Sequence, residues 1–120
     1  MKLSDLLKFD EIVVQCHDNP DADAISSGYA LYCYLKDHGK QVSLIYGGIN
    51  RIRKSNLMLM LQTLNIPIKY CDSLETPELL VTVDCRYGEG NVTHFPARNI
   101  AVIDHHRVTG ELPKLSEVRS

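Results

Sequence analysis

The chain reads as an α/β domain, a mostly parallel sheet flanked by helices on both faces, and three observations predict this. The segments Ile12-Val13-Val14, Leu79-Leu80-Val81-Thr82-Val83 and Asn99-Ile100-Ala101-Val102-Ile103 are near-continuous apolar runs without alternation, as expected of strands covered on both sides. Strand patterns alternate with helical ones, and parallel neighbours require such crossovers. A length of 120 residues with 44% apolar and 23% charged residues suits one ordinary core, so residues 1–120 are taken as a single domain.

In chain order, Leu6, Leu7 and Phe9 form a short amphipathic lead-in, and Glu11 to Cys16 is a central strand rich in β-branched residues. Asn19-Pro20 forces a turn. A helix is expected from Ala24, with Ile25, Tyr29, Tyr32 and Lys36 on one stripe, Leu31 and Leu35 beside it, and Gly39 as its stop. Gln41 to Tyr46 is the second strand and ends at Gly47-Gly48. Ser55 to Leu64 is a second helix that ends near Asn65 and Pro67. Ile66 to Tyr70, Leu79 to Val83 and Asn99 to Ile103 are the remaining strands, the first two separated by the polar turn 72–77.

Composition excludes several classes. The net charge is -2 with Lys and Arg scattered, so no basic stripe points to long duplex nucleic acid, whereas short or monomeric phosphate substrates remain compatible. The first eight residues carry charges within their only apolar stretch, which suits neither a secretion signal nor a membrane span and predicts a cytoplasmic protein. Cys16, Cys33, Cys71 and Cys85 have no C-x-x-C spacing and are expected to be small, free, mostly buried side chains.

Three strands end in residues of metal-ligand type. Cys16-His17-Asp18-Asn19-Pro20-Asp21-Ala22-Asp23 follows the first, Asp84 follows Val83, and Asp104-His105-His106 follows Ile103. Open parallel sheets bind ligands outside the carboxyl ends of their strands, so these clusters are expected to converge. Imidazole and carboxylate donors without thiolates suit manganese first, with magnesium or cobalt as alternatives. Asp84, from a middle strand, is the candidate to bridge two cations about 3.5 to 4 Å apart, between which a water loses its proton and attacks phosphorus in line. Ser26 and Ser27, expected in the first turn of the first helix, would favour a phosphate through helix amides.

The ordered set His17-x-x-x-Asp21-x-Asp23-Ala24, Asp84 after an apolar strand, and Asp104-His105-His106 resembles the first three motifs of the DHH phosphoesterase family, over about Ile12 to Arg107. That family includes RecJ-type exonucleases, type II pyrophosphatases, cyclic-dinucleotide phosphodiesterases and enzymes that degrade very short RNA and dephosphorylate 3'-phosphoadenosine 5'-phosphate. The resemblance implies that His17 and Asp21 hold one metal, that Asp23 and His105 hold a second, and that Asp84 bridges them. It further implies that His106 meets the substrate phosphate or supports the metal ligands from behind, and that Asp104 orients the histidine pair, while Arg107 reads either as a phosphate clamp or as a surface arginine. The first motif departs from the frequent Asp-Gly-Asp-Ala-Ile-Gly-Ser, reading Asp21-Ala22-Asp23-Ala24-Ile25-Ser26-Ser27.

Family members add a fourth motif and a C-terminal substrate domain. Residues 1–120 are therefore expected to be an N-terminal catalytic portion with an incomplete second metal site, prone to self-association through the apolar surface left uncovered. The function expected is two-metal hydrolysis of a small nucleotide or short oligonucleotide phosphate. Inorganic pyrophosphatase or exopolyphosphatase activity, and a non-catalytic metal-binding or interaction fragment, are the competing readings. His38 and His94 are expected outside the site. Gly47-Gly48 with Arg51, Arg53 and Lys54 reads either as an ordinary strand-to-helix turn or as a substrate contact.

Overall fold

The computed structural model describes residues 3–83, 92–104 and 114–118. A short 3-10 helix, Leu3–Lys8, precedes β1 (Glu11–Cys16), α1 (Ala22–Asp37), β2 (Gln41–Tyr46), α2 (Ser55–Leu64), β3 (Ile68–Tyr70), β4 (Leu79–Val83), β5 (Asn99–Asp104) and β6 (Lys114–Val118). These strands make one sheet in the order β3-β2-β1-β4-β5-β6, in which β1 to β5 run parallel and β6 is antiparallel to β5. The α/β fold with a mostly parallel sheet is thus the one expected from the apolar runs.

The order has a physical reading. From β1 the chain steps outward to β2 and β3, then returns across the sheet to place β4 on the other side of β1, and β5 continues that way. Parallel crossovers are right-handed, so two outward directions require connections on opposite faces. Side-chain packing follows this rule. On one face Ile12, Val14, Leu44, Leu79 and Val81 pack with Leu6 of the 3-10 helix, Leu31 and Leu35 of α1, and Leu57 of α2. On the other, Val13, Ile45, Leu80 and Ile100 pack with Phe95 and Ala97, which precede β5, and with Cys71 and Leu74. Among the described residues both helices share the first face, and irregular segments cover the second.

Local chemistry sets the element ends. α1 begins at Ala22, two residues earlier than the sequence pattern suggests, because Asp21 in extended conformation accepts a hydrogen bond from the Ala24 N–H at 2.9 Å and caps the helix. It ends at His38, followed by Gly39 at φ +78°, as expected of a left-handed stop. α2 ends at Asn65 at φ +52°. β3 starts at Ile68 rather than Ile66 because the Ile66 N–H is bonded back to the Leu61 carbonyl and Pro67 has no N–H to offer a ladder. β6 carries no signal that separated it from a loop in the sequence. Among the described residues no helix is long and apolar enough to cross a membrane.

Glu78 clasps the amino ends of the central strands. Its Oε1 accepts from the Asp10 and Glu11 N–H groups at 2.8 and 3.2 Å, and its own N–H donates to Glu11 at 3.3 Å. The two backbone donors favour the ionised form and hold its pKa below the ordinary glutamate value. A carboxylate depressed in the folded state contributes stability that is present above its unfolded pKa and lost as pH falls through the folded one. Glu78→Gln should therefore flatten the fall in urea stability between neutral and acid pH, and an unchanged pH profile would contradict the clasp. Leu35→Ala, a fully buried contact between α1 and the sheet, should cost about 2–5 kcal/mol in the same assay. Leu59→Ala, at a residue 64% exposed, should stay within about 0.5 kcal/mol.

Candidate metal centre at the carboxyl rim

Register brings the three sequence clusters to one level. Cys16 of β1 pairs with Val83 of β4, and Val83 pairs with Ile103 of β5. The chain therefore leaves β1 towards His17, β4 towards position 84 and β5 at Asp104 from three adjacent strand ends, spaced about 4.8 Å apart. The reversal of strand order lies between β1 and β4, and at such a point the two departing connections diverge to opposite faces and leave a crevice.

His17 is half-buried beside this strand reversal, and its Nδ1 lies 2.8 Å from the Asp18 carbonyl oxygen. A carbonyl only accepts, so Nδ1 carries a proton, and in the neutral form of the ring the lone pair is on Nε2. This is the arrangement in which metal-bound histidines are commonly held. Nε2 lies 4.0 Å from Asp21 Oδ1. That is too long for a hydrogen bond and leaves both atoms open to a shared third partner. Asp21 is exposed and spends one lone pair on its capping bond to Ala24, which leaves further carboxylate sites. Asp23 is exposed in the first turn of α1, where its charge also suits the helix dipole.

A clamp that the sequence did not reveal holds this loop. The Asp18 carboxylate accepts from the Thr93 N–H at 3.1 Å and from the Thr93 hydroxyl at 2.9 Å. The Thr93 carbonyl in turn accepts from the carboxamide of Gln15, which is fully buried, at 2.8 Å. The loop after β2 closes against the same group. Gly48 has φ +97°, and a Cβ there would stand 2.9 Å from the Asp18 side chain, while one on Gly47 would stand 2.8 Å from the Thr93 hydroxyl. Only glycine fits this contact. Thr93 is 75 residues from Asp18, so no local pattern announced the pair. Gln15 was visible only as a polar residue within an apolar run.

Ser26 and Ser27 lie in the second turn of α1, because the helix starts at Ala22. Their amides fall beyond the free N–H groups of a helix start. The expectation that they present first-turn amides to a phosphate is corrected accordingly. With Leu3, Ala30, Leu31, Tyr34, Val83 and Ile103 they line a mainly apolar cleft of ≈ 400 Å³ below the rim. His38 is exposed at the far end of α1, with its Nδ1 2.8 Å from the Tyr34 carbonyl, and His94 is exposed directly after Thr93, on the carboxyl-rim side. Cys16, Cys33 and Cys71 are free, and burial pushes the Cys71 thiol pKa up, which keeps it protonated.

Among the described residues no three His, Cys, Asp or Glu side chains form a metal-holding group. The remaining expected ligands, Asp84 and His105, lie outside the described residues, as do His106, Arg107 and Cys85. Asp104 ends β5. The donors that are described, the His17 imidazole and the Asp21 carboxylate 4.0 Å from its Nε2, are of the type that suits a hard divalent cation.

An open α/β domain with His17, Asp21 and Asp23 following its central strand beside a strand reversal defines the class of this protein. A family model described as the DHH family, N-terminal domain, matches residues 11–119, and the chain belongs to that family. That family includes metal-dependent phosphoesterases. The chain is also similar to an uncharacterized protein of Methanocaldococcus jannaschii, with 29% identity over 112 residues that cover 91% of this chain and 33% of that protein. The chain thus spans about a third of the length of the relative it matches.

Thr93→Val should remove one bond to a carboxylate and destabilise the chain by about 1.5–3 kcal/mol. Gly48→Ala should destabilise it as well, through positive φ and the Asp18 contact, whereas Gly39→Ala meets no atom within 4 Å and carries only the strain of its φ. Chemical denaturation of the three variants would test the clamp, and equal losses for Gly48→Ala and Gly39→Ala would contradict it.

Proposed function

We propose that this chain carries the metal-binding part of a two-metal phosphoesterase that hydrolyses a small nucleotide or short oligonucleotide phosphate, with manganese as its working cation. The observation that carries the reading is the His17 ring, its Nδ1 proton committed to the Asp18 carbonyl and its Nε2 lone pair left towards Asp21 at the strand reversal. Family membership supports the same chemistry. His17, Asp21 and the strand-end Asp84 would hold one ion, Asp23 and His105 would complete the second, and Asp84 would serve both. Bound divalent ions would supply an acidified water and neutralise phosphate charge.

The other roles belong to the chain itself. Asp18, locked to Thr93, keeps in place the carbonyl that holds His17 Nδ1, so that Nε2 is the nitrogen that would be offered to a cation. Asp104 would orient the histidine pair, and His106 and Arg107 would meet the substrate phosphate.

Manganese binding followed by electron paramagnetic resonance should fall at least ten-fold in His17→Ala and should weaken on acidification through the histidine range, because protons compete for the ligands. Unchanged affinity in His17→Ala would exclude the proposed ligand set. Phosphate release from 3'-phosphoadenosine 5'-phosphate, a dinucleotide and pyrophosphate, assayed with the whole protein, would identify the substrate. Turnover of pyrophosphate alone would replace the nucleotide reading with the anhydride one.

A further inference from the structure

Charge is unevenly placed along this chain. Although the net charge is -2, residues 38–71 contain no Asp or Glu at all, while Lys40, Arg51, Arg53, Lys54 and Lys69 fall within them. Lys40 is paired with Asp10 at 3.5 Å. Arg51, Arg53 and Lys54 are all exposed in the loop between β2 and α2, and among the described residues no carboxylate forms an ion pair with any of them. This loop leaves the carboxyl end of β2, on the same rim as His17.

The loop is built rather than slack. Its stem, Gly48, lies against the Asp18 side chain, so it abuts the His17 loop directly. The Tyr70 hydroxyl donates to the Gly48 carbonyl at 2.5 Å, and the Ile52 N–H donates to the Tyr46 hydroxyl at 2.9 Å. The Tyr46 and Tyr70 rings meet edge to face with centroids 5.4 Å apart, and the Arg51 guanidinium lies over the Tyr70 ring at 4.8 Å. A stacked guanidinium keeps its outer face and its N–H fork available, as is common where arginine meets a phosphate or an unpaired base. Arg51 follows Gly48 by three positions, so their Cα atoms stand no farther apart than about 11 Å.

We propose that Arg51, Arg53 and Lys54 form a second phosphate grip, which binds a non-scissile phosphate of a short single-stranded oligonucleotide whose reacting phosphate lies at the His17 loop. The inference rests on the reading of that loop as the reacting site. It deepens that reading by favouring substrates with phosphates at successive nucleotides over pyrophosphate, whose two phosphorus atoms share one oxygen and cannot reach both places. The grip is a single loop on a domain that is acidic elsewhere, which suits a few nucleotides and not a long duplex.

The test measures binding of a 5'-phosphorylated RNA trinucleotide without metal, in EDTA, over a salt series, and manganese affinity separately. The variant Arg51→Gln/Arg53→Gln/Lys54→Gln should bind the trinucleotide at least ten-fold more weakly at low salt. Its dependence of log affinity on log salt should be shallower by about 2, at roughly 0.7 per cation removed. Its manganese affinity should be unchanged. Lys8→Gln/Lys36→Gln/Arg98→Gln removes the same charge from exposed positions at the opposite, amino-terminal rim and should leave trinucleotide binding within about two-fold, which separates a local grip from net charge. Circular dichroism would verify that both variants are folded. Equal losses in the two variants, no loss in the first, or no trinucleotide binding by the parent chain would each overturn the inference. If manganese still binds in those cases, the metal reading survives. If trinucleotide binding depends on the loop but no manganese binds, the grip stands and the metal reading falls.

Discussion

The structure depends on the flush ending of three parallel strands beside a reversal of strand order. Cys16, Val83 and Ile103 stand level in adjacent strands, and the sheet grows outward from β1 on one side and from β4 on the other. Right-handed crossovers then send the two sets of connections to opposite faces, the topology in which a strand rim opens for a ligand. His17 comes to that rim directly from the end of β1.

Given the opening, the loop after β1 must be held without being buried. Asp18 does this by taking hydrogen bonds from both the backbone and the hydroxyl of Thr93, with fully buried Gln15 behind, while Gly48 lets the neighbouring loop press against the same carboxylate. Bonds to a charged acceptor are stronger than neutral ones, and this clamp sits one residue from the imidazole it serves. Rigidity is thus concentrated behind His17, while Asp21 and Asp23 remain exposed towards solvent. The same contact fixes the stem of the basic β2–α2 loop, so positive and negative groups are offered to one rim from adjoining supports.

Much of this was readable in residue order. The unbroken apolar runs of β1, β4 and β5 announced buried parallel strands, Gly39 announced the end of α1, and the polar clusters after each strand announced the rim. The readings that shifted share a cause. α1 starts at Ala22 because the Asp21 side chain competes for the helix start, and this moves Ser26 and Ser27 out of the first turn. β3 is short because the Ile66 N–H closes α2 instead of joining the ladder. Both are contests between local hydrogen bonds that periodicity does not decide.

The sequence by itself determined the alternation of strands and helices, the apolar faces and the ligand-type residues at strand ends, because these depend on neighbours a few positions apart. Only the tertiary structure decided the strand order, the level at which β1, β4 and β5 end, the partnership of Asp18 with Thr93 and the seating of Gly48 on Asp18. Those features join segments that are tens of residues apart, and their energies arise from contacts that exist only once the sheet has assembled. No local pattern can encode which distant carbonyl or hydroxyl will be within reach.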